Sequence, residues 1–301
     1  MFKEFIGCGT ALVTPFRKDS SLDEEALRRT VRRQIEAGIN FLVPCGTTGE
    51  SPTLSGAEQK RVVEITVEEA RGKVPVLAGA GGNNTAHVVE MAREFEAIGA
   101  NGILSVNPYY NKPTQEGLYQ HFKAIAGAVK VPVILYNIPG RTGVNIEPPT
   151  MKRLAEIDNI AGVKEASGNI SQMAMILDTV PDRFLVLSGD DGITLPLMAL
   201  GGRGLVSVTS NEIPGEMTSI VRLALANDFA GAREIHRRYF PLMDVNFAET
   251  NPIPVKAGMA LMGLIEPVFR LPMVPPKPET LTKIRGVLES LGLVQGAYAA
   301  R

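Results

Sequence analysis

The chain contains one short apolar stretch whose surroundings repeat along its whole length, Asn159-Ile160-Ala161-Gly162-Val163-Lys164-Glu165-Ala166-Ser167. Its small and apolar residues, bounded by polar residues and Gly168, predict a buried strand. Lys164 stands near the end of this strand, where burial disfavours the charged ammonium and favours the neutral amine. A neutral amine attacks carbonyl groups and forms Schiff bases. On this stretch alone two ordinary explanations remain: Lys164 reaches solvent at the strand end, or it pairs with Glu165.

Seven further apolar segments alternate with segments in which apolar residues recur at helical spacing. Together with the first stretch they predict eight strands, within residues 9–16, 40–46, 75–81, 102–108, 132–137, 159–167, 184–189 and 204–209. Eight successive strand–helix units predict an α/β fold, a (β/α)₈ TIM barrel, and strands that are apolar throughout fit parallel strands covered on both faces. A doubly wound open sheet is the alternative, but the eightfold count and the lack of a GxGxxG motif after the first strand weigh against it.

Polar residues mark where several of the predicted helices begin. The capping-box spacing of Ser21 with Glu24 predicts the start of the first helix, and Ser55 with Glu58 predicts the start of the second. Thr114 opens the helix after the fourth strand. The barrel is expected to occupy residues 1–225, and residues 226–301 are expected to form a helical appendage packed on it, with helices at 230–244, 251–264 and 278–291.

Composition excludes several classes of protein. The chain has 301 residues, of which 45% are hydrophobic, and its 31 basic and 32 acidic residues give a net charge of −1 without long runs of one sign. This argues against binding to nucleic acid or to a membrane surface. The two cysteines, Cys8 and Cys45, are predicted to be buried reduced thiols. The three histidines lack metal-ligand spacing, so no metal is expected. Without a signal core or a membrane-length apolar run, a cytoplasmic protein is expected.

Polar residues at the predicted strand ends are the candidates for chemistry, because barrels of this kind carry their active sites at the carboxyl ends of the strands. The set comprises one amine, several hydroxyls and one cation: Lys164, Thr47, Thr48, Tyr109, Tyr110, Tyr136, Ser207, Thr209 and Arg141. This combination suits carbonyl chemistry through an imine. The lysine would form the Schiff base, the hydroxyls would move protons, and the arginine would bind a carboxylate.

Each of these candidates also has an ordinary structural explanation. Thr47 and Thr48 can simply form a turn. Tyr136 can be a core tyrosine whose hydroxyl bonds to the backbone, and Arg141 can belong to a surface ion pair. The convergence of these residues at one rim favours function over the separate explanations.

Two adjacent pairs at the rim are also ambiguous. Tyr109 and Tyr110 can belong to an aromatic interface patch. Asp190 and Asp191, which follow the seventh strand, are expected to cap the next helix rather than to form a metal or acid pair.

Six separated motifs, in order along essentially the whole chain, resemble the dihydrodipicolinate synthase family. They are residues 46–51 (GTTGES), 109–117 (YYNKPTQEG), 136–143 (YNIPGRTG), 162–166 (GVKEA), 188–191 (SGDD) and 251–256 (NPIPVK). The resemblance implies condensation of pyruvate with L-aspartate 4-semialdehyde to give 4-hydroxy-tetrahydrodipicolinate, the first committed step of diaminopimelate and lysine biosynthesis. It implies no cofactor other than the covalent imine that pyruvate forms on Lys164, and it implies self-association, commonly as a homotetramer.

The resemblance also implies roles for individual residues. Lys164 forms the Schiff base, and a hydroxyl relay consists of Thr47, Tyr136 and Tyr110, the last reaching into the site of a neighbouring subunit. Substrate binding is assigned to Thr48 and the backbone at Val206 for pyruvate, to Arg141 for the carboxylate of aspartate semialdehyde, and also to Gly189.

Related enzymes provide the alternatives. N-acetylneuraminate lyase and 2-keto-3-deoxy-sugar-acid aldolases share the lysine, the tyrosine and a similar turn, but the paired Thr47-Thr48 and the arginine in 139–143 favour the synthase. A non-catalytic barrel serving as a regulator or scaffold would be expected to lack Lys164 or Tyr136, and both are present.

One departure from the family concerns feedback inhibition by lysine. Ser51, Asn83 and Tyr109 match the inhibitor site of many family members, but its remaining positions hold Gly56, Gln59 and His87. A cationic ligand loses a carboxylate and gains an imidazole at such a site, so weak or absent lysine inhibition is expected.

Overall fold

The computed structural model describes residues 2–295. One eight-stranded parallel sheet forms the centre of the molecule, and its strands are β1 Gly7–Ala11, β2 Phe41–Val43, β3 Leu77–Gly79, β4 Gly102–Val106, β5 Val133–Asn137, β6 Ile160–Glu165, β7 Leu185–Ser188 and β8 Gly204–Ser207. The strand order is β2-β1-β8-β7-β6-β5-β4-β3, and a parallel bridge between Leu42 and Val76 joins the two outermost strands. The sheet therefore closes, and the predicted (β/α)₈ barrel is confirmed.

Helices follow the strands and cover the outside of the barrel. They are α1 Glu24–Glu36, α2 Gly56–Ala70, α3 Thr85–Ile98, α4 Gln115–Ala126, α5 Pro139–Thr142, α6 Pro148–Ala155, α7 Ile170–Thr179, α8 Thr194–Ala199, α9 Pro214–Leu225, α10 Phe229–Val245, α11 Ile253–Leu261 and α12 Pro278–Ser290. The last helix of the barrel, α9, ends at Leu225. Beyond it α10 packs on α8 and α9, and α12 packs on α10 and α11. No helix within residues 2–295 has the length and apolar character needed to cross a membrane.

Of the three helix starts that polar residues predicted, two are confirmed and the first is not. Ser55 and Glu58 form a reciprocal capping box at α2, and the Thr114 side chain accepts a hydrogen bond from the N–H of Gly117. The assignment of Ser21 to the start of α1 was wrong. Its hydroxyl donates to the carboxylate of Asp19 at 2.6 Å, and Asp23 caps the helix instead. A carboxylate one residue before the helix reaches the free N–H groups that a serine two residues further away cannot.

The core has two layers, one inside the barrel and one between the strands and the helices. The inner layer includes Phe41, Leu104, Tyr136, Leu187 and Val206, which point to the barrel axis from different strands. Both cysteines are buried free thiols, as predicted. Burial raises the pKa of the Cys45 thiol to about 12, so this thiol stays neutral and behaves as an apolar side chain.

Candidate active site

Lys164 lies at the carboxyl end of β6, opposite Tyr136 of β5 in the strand register. Lys164 is 5% exposed, and its Nζ lies 4.1 Å from the centre of the Tyr136 ring. Lys164 therefore points into the barrel and does not reach out to solvent. The alternative pairing with Glu165 is also not observed, because successive residues of a strand face opposite sides and Glu165 points outward.

A layer of buried polar side chains lies on the outer face of the same strand ends. Asn137 makes four hydrogen bonds through its amide: Nδ2 donates to Asn145 Oδ1 and Glu165 Oε2, and Oδ1 accepts from Asn107 Nδ2 and from the N–H of Ile146. Each lies between 2.9 and 3.0 Å. The layer joins the ends of β4, β5 and β6 to the loop that follows β5, and so it fixes the strand ends that carry the lysine and the tyrosine.

Glu165 is the charged member of this outer layer. It is fully buried, and burial raises the pKa of its carboxyl group, whereas hydrogen bonds from Ser167 and Asn137 act in the opposite direction. Its Oε1 accepts the N–H of Ser167 at 2.8 Å. The carboxyl group is thus held by amide and backbone donors, and no cation from residues 2–295 pairs with it.

The threonine pair lies in a tight turn after β2. The N–H of Glu50 donates to the carbonyl of Thr47 at 3.0 Å, and Thr14 Oγ1 donates to the carbonyl of Gly49 at 2.7 Å. The side chain of Thr48 is buried, and its Oγ1 accepts a hydrogen bond from Asn251 Nδ2 at 3.0 Å. The expected turn is therefore present, and it also brings Thr47 to the wall of the central cavity.

Arg141 lies on the short helix α5, which the sequence did not predict as a helix. Its Nη2 donates to the backbone carbonyl of Asn251 at 3.1 Å. Within residues 2–295 its guanidinium forms no ion pair with a carboxylate, so the alternative of a surface ion pair is not observed. Asn251 thus contacts Thr48 through its side chain and Arg141 through its backbone.

A cavity of about 370 Å³ opens at this end of the barrel. The residues that line it come from β3, β4 and β5 and from the loops and helices that follow β2, β3, β4 and β5: Cys45, Gly46, Thr47, Ser51, Pro52, Leu54, Gln59, Gly79, Gly81, Gly82, Asn83, Asn84, His87, Met91, Leu104, Val106, Tyr109, Tyr136, Ile138, Arg141 and Thr142. In the part of the chain that the structure describes, no Asp or Glu side chain lines this cavity, whereas Arg141 does. The cavity therefore favours an anionic ligand over a cationic one.

Of the eight residues to which the resemblance assigns roles, five do not line the cavity: Lys164, Tyr110, Thr48, Val206 and Gly189. Lys164 lies beside the Tyr136 ring rather than on the wall. Tyr110 is 90% exposed, with a backbone φ of +72°, and its neighbour Tyr109 lines the cavity instead. A single chain thus brings Thr47, Tyr136 and Arg141 to one cavity, places Lys164 next to it and leaves Tyr110 outside it.

Gly189 lies directly beside the Lys164 side chain. A Cβ atom at this position would lie 2.9 Å from Cε of Lys164 and 2.7 Å from Cβ of Ala166, which is closer than real Cβ contacts. The absence of a side chain at Gly189 therefore leaves the space that the lysine occupies. Val206 is buried on the inner face of β8 and pairs with Gly9 of β1.

The assignment of Asp191 to a helix cap was wrong. Ser207 Oγ donates to its Oδ1 at 2.5 Å, and the N–H groups of Val208 and Thr209 donate to its Oδ2 at 3.1 and 3.2 Å. Burial raises the pKa of this carboxyl group, and the hydrogen bond from Ser207 opposes the rise. The α8 helix begins after Ile193 with no side-chain cap. Asp191 holds the end of β8 instead, because the barrel brings the β7 loop against it.

Sequence reasoning missed the residues that support the site from outside it, namely Glu50, Asn107, Asn137, Asn251 and Lys256. Each lies within or next to a motif noted above, but none could be assigned a partner from spacing alone. The available signal was a polar residue at the end of an apolar strand, which marks a side chain that needs a buried hydrogen-bond partner.

The arrangement combines a buried amine, a phenol next to it, a hydroxyl-bearing turn, and a cavity whose wall carries a guanidinium. These groups suit attack of an amine on the carbonyl of a substrate that carries a carboxylate. Among residues 2–295, no group of three or more His, Cys, Asp or Glu side chains is placed to hold a metal ion.

Proteins that resemble this chain belong to one enzyme family. Residues 4–291 match the family described as Dihydrodipicolinate synthetase family. The chain is 56% identical, over 98% of its length and 99% of the relative, to 4-hydroxy-tetrahydrodipicolinate synthase of Koribacter versatilis. The structure resembles crystal structures of dihydrodipicolinate synthase from Aquifex aeolicus, with a TM-score of 0.95 and 45% identity over 97% of this chain and 100% of that one. It also resembles the chloride-inhibited enzyme of Acinetobacter baumannii in complex with pyruvate, with a TM-score of 0.94 and 42% identity over 96% and 99%.

Proposed function

The chain belongs to the dihydrodipicolinate synthetase family, and we propose that it condenses pyruvate with L-aspartate 4-semialdehyde to give 4-hydroxy-tetrahydrodipicolinate. This is the first committed step of diaminopimelate and lysine biosynthesis, and the cytoplasm is the compartment proposed for it. The observation that carries the proposal is the buried Lys164 amine beside Tyr136, at the edge of a cavity whose wall carries Arg141 and, among residues 2–295, no carboxylate.

We assign the covalent step to Lys164. The amine of this residue adds to the keto carbon of pyruvate, and loss of water gives an imine. Loss of a methyl proton then gives an enamine, whose carbon attacks the aldehyde carbon of aspartate semialdehyde and forms the new carbon–carbon bond. The amino group of the adduct finally displaces Lys164 from the imine carbon, which closes the ring and frees the lysine. No metal or organic cofactor takes part in these steps.

Proton transfer is assigned to hydroxyl groups. Tyr136 is the immediate donor and acceptor because its ring lies against the Lys164 amine, and the half-buried Thr47 lines the same cavity. Within the described part of the chain, the Tyr136 hydroxyl makes no hydrogen bond to backbone or side chain, so it is free to serve a substrate.

Substrate binding is assigned to groups around the amine. Thr48 and the backbone at Val206 hold the pyruvate, and Gly189 borders the Lys164 side chain, where the adduct would form. Arg141 binds the carboxylate of aspartate semialdehyde at the mouth of the cavity, where bidentate contact is favourable.

Tyr110 is proposed to complete the relay in a second copy of the chain. Its side chain is 90% exposed and does not line the cavity of its own chain. The proposed assembly is a homotetramer, in which Tyr110 of one copy reaches the cavity of another. Loss of activity upon dilution to monomers, measured by sedimentation and activity at matched concentrations, is the expected consequence.

The function is tested by incubating the protein with pyruvate and aspartate semialdehyde and coupling the product to a reductase that accepts it. Sustained turnover is expected. The alternative, a pyruvate-dependent aldolase of the same superfamily, predicts cleavage of N-acetylneuraminate or 2-keto-3-deoxygluconate instead, measured as pyruvate release. A higher kcat/KM with a sugar acid than with aspartate semialdehyde would contradict the proposal.

We also propose that lysine inhibits this enzyme weakly or not at all. The outer part of the cavity is lined by Ser51, Gln59, Asn83, His87 and Tyr109. Among residues 2–295 no carboxylate lines this part of the cavity, so an ammonium group would find no anionic partner there. Gln59 Nε2 is in addition engaged with the carbonyl of Ser51 at 2.9 Å. Activity should be nearly constant when lysine is titrated well into the millimolar range, and half-inhibition at sub-millimolar lysine would contradict this proposal.

A further inference from the structure

Two charged residues within the sequence motifs have no role in the proposed reaction. Glu50 follows the threonine pair, and Lys256 closes the segment 251–256. Their side chains form an ion pair in which the lysine side chain is 0% and the glutamate side chain 1% exposed. A fully buried pair adds little net stability, because removing two charges from water costs about as much as their attraction returns. Its location is therefore more informative than its strength.

Both partners of Glu50 come from the C-terminal helical region. Lys256 lies on α11, 206 residues further along the chain, and its Nζ lies over the ring of Phe16 at 4.3 Å from the ring centre. The second carboxylate oxygen of Glu50 accepts the N–H of Arg270 at 3.4 Å. Burial lowers the pKa of the Lys256 ammonium, and the Glu50 carboxylate opposes that effect. The ion pair thus ties α11 to the turn after β2.

The turn depends on Glu50 in two ways. Its N–H closes the turn on the carbonyl of Thr47, and its φ of +53° lies in the left-handed region, which a residue with a side chain occupies at a cost. A carboxylate anchored on Lys256 holds this conformation in place. A displacement of Glu50 would therefore move the adjacent threonines.

Asn251 provides a second tie to the same turn. Its Nδ2 donates to Thr48 Oγ1, which leaves the hydroxyl hydrogen of Thr48 to point elsewhere, and its backbone carbonyl accepts from Arg141. Its Oδ1 is buried and makes no hydrogen bond within residues 2–295. A buried acceptor without a partner lowers stability, so the orientation of the Asn251 amide toward Thr48 costs free energy.

We propose that Glu50, Lys256 and Asn251 are positioning residues through which the C-terminal helical region sets the threonine turn for pyruvate. The inference rests on the proposed function and extends it, because it makes the C-terminal region part of the active site. The reactive amine on β6 and the phenol on β5 make none of these contacts.

The test uses the full-length variants E50Q and K256M and the double variant E50Q/K256M. Misplacement of a binding group by about 1 Å costs up to roughly a hundredfold. We expect E50Q to raise the KM for pyruvate roughly tenfold or more and to lower kcat, because Thr47 lies in the same turn. Borohydride should still trap pyruvate on Lys164 when pyruvate is saturating.

The double variant separates positioning from stability. Removal of both charges should recover much of the Tm that K256M loses, because no buried charge is left unpaired. The pyruvate KM should remain raised in the double variant, since methionine donates no hydrogen bond to hold the turn. The double variant also keeps the test decisive if K256M alone does not fold.

A matched control is E69Q, which breaks the bonds of Glu69 to Arg28 and Arg32 between α1 and α2, outside the site. It should lower Tm while the pyruvate KM stays at the wild-type value. A wild-type pyruvate KM in E50Q, or its full recovery in the double variant, would overturn the inference. Failure of the wild-type protein to trap pyruvate would instead overturn the proposed function, so the two failures are distinguishable.

Discussion

The two sides of the barrel rim are held in place in different ways. On the side of β5 and β6, the outer layer around Asn137 consists of neutral amides and one carboxyl group that lie about 30 residues apart along the chain, as in the contacts of Asn137 with Asn107 and Glu165. On the side of β2, the threonine turn is held by Lys256 and Asn251, more than 200 residues further along the chain. The reactive groups are therefore fixed by the barrel itself, whereas the turn depends on the appended helices.

Substitutions on the two sides are therefore expected to change different kinetic parameters. A change on the β5 and β6 side should affect the rate of the chemical steps, because Lys164 and Tyr136 lie there. A change on the β2 side should affect pyruvate binding most, because Thr48 lies there. The predictions that follow are arranged from the largest expected effect to the smallest.

The largest effect is expected from Tyr136→Phe, which removes the hydroxyl but keeps the ring on the Lys164 amine. If Tyr136 moves protons, kcat should fall by about a hundredfold to ten-thousandfold, with a smaller change in the pyruvate KM. Steady-state kinetics measures both parameters. The matched control is Tyr119→Phe on α4, where the ring lies 4.1 Å from the Arg153 guanidinium and the activity should be unchanged. A Y136F enzyme with kcat within about threefold of wild type would remove Tyr136 from the relay.

The next effect concerns the outer layer itself. Asn137→Ala removes an amide with four hydrogen bonds and leaves Glu165 and Asn107 short of partners. Unpaired buried polar groups cost about 1–3 kcal/mol each, so the free energy of unfolding should fall by at least about 2 kcal/mol, and kcat should fall as well. Urea denaturation measures the stability.

The control for this variant is Asn101→Ala, which loses a single hydrogen bond, accepted from the N–H of Val76, at the opposite end of the strands. Its cost should be about 1 kcal/mol or less. Equal losses of unfolding free energy in the two variants would show that the Asn137 amide contributes no more to stability than a single hydrogen bond does.

The last prediction, for which the smallest effect on activity is expected, compares the buried carboxyl group of Glu212 with that of the ion-paired Glu50. Unlike Glu50, Glu212 has no ion-pair partner: its Oε2 accepts from Asn246 Nδ2 at 2.6 Å, and its Oε1 is unbonded among the described residues. Burial raises the pKa of Glu212 to about 8. The folded protein therefore binds a proton that the unfolded chain has released above its ordinary pKa of about 4.5, and the contribution of this group to stability falls as the pH rises from about 4.5 to 8.

Glu212→Gln removes this dependence because glutamine does not titrate. The free energy of unfolding of E212Q relative to wild type should rise between pH 5 and pH 8, by at most about 1.4 kcal/mol per pH unit. The difference in Tm between the two proteins should rise with it. The control is again E69Q. Arg32 holds the pKa of Glu69 at about 2, so this group stays ionised throughout that window and the Tm difference of E69Q should be flat. A flat difference for E212Q as well would show that Glu212 is ionised in the folded protein.

The barrel and the location of the amine could be predicted from the sequence because both follow from local patterns. Apolar runs mark the strands, and Lys164 near the end of one of them was placed at the correct rim. Helix starts were predictable where the cap and its partner lie within three residues, as at Ser55. The start of α1 was not, because the Ser21 hydroxyl is bonded to Asp19 and Asp23 caps the helix instead.

The support of the site could not be predicted because its partners are set by the closed barrel. Asp191 was expected to cap the next helix, but closure of the sheet brings the end of β8 within hydrogen-bond distance. The partners of Glu50 lie more than 200 residues away, and no local spacing indicates them. The position of Tyr110 is a further case, since its side chain is exposed and does not line the cavity of its own chain.

The most direct test of the central claim is to incubate the protein with pyruvate, reduce it with borohydride, and locate the adduct by intact mass and peptide mapping. The account predicts one pyruvate-sized increment per chain, on Lys164. It predicts none on Lys256, the other buried lysine among residues 2–295, whose amine is held by Glu50. An adduct on another lysine, or no adduct on the folded protein, would contradict imine chemistry at Lys164.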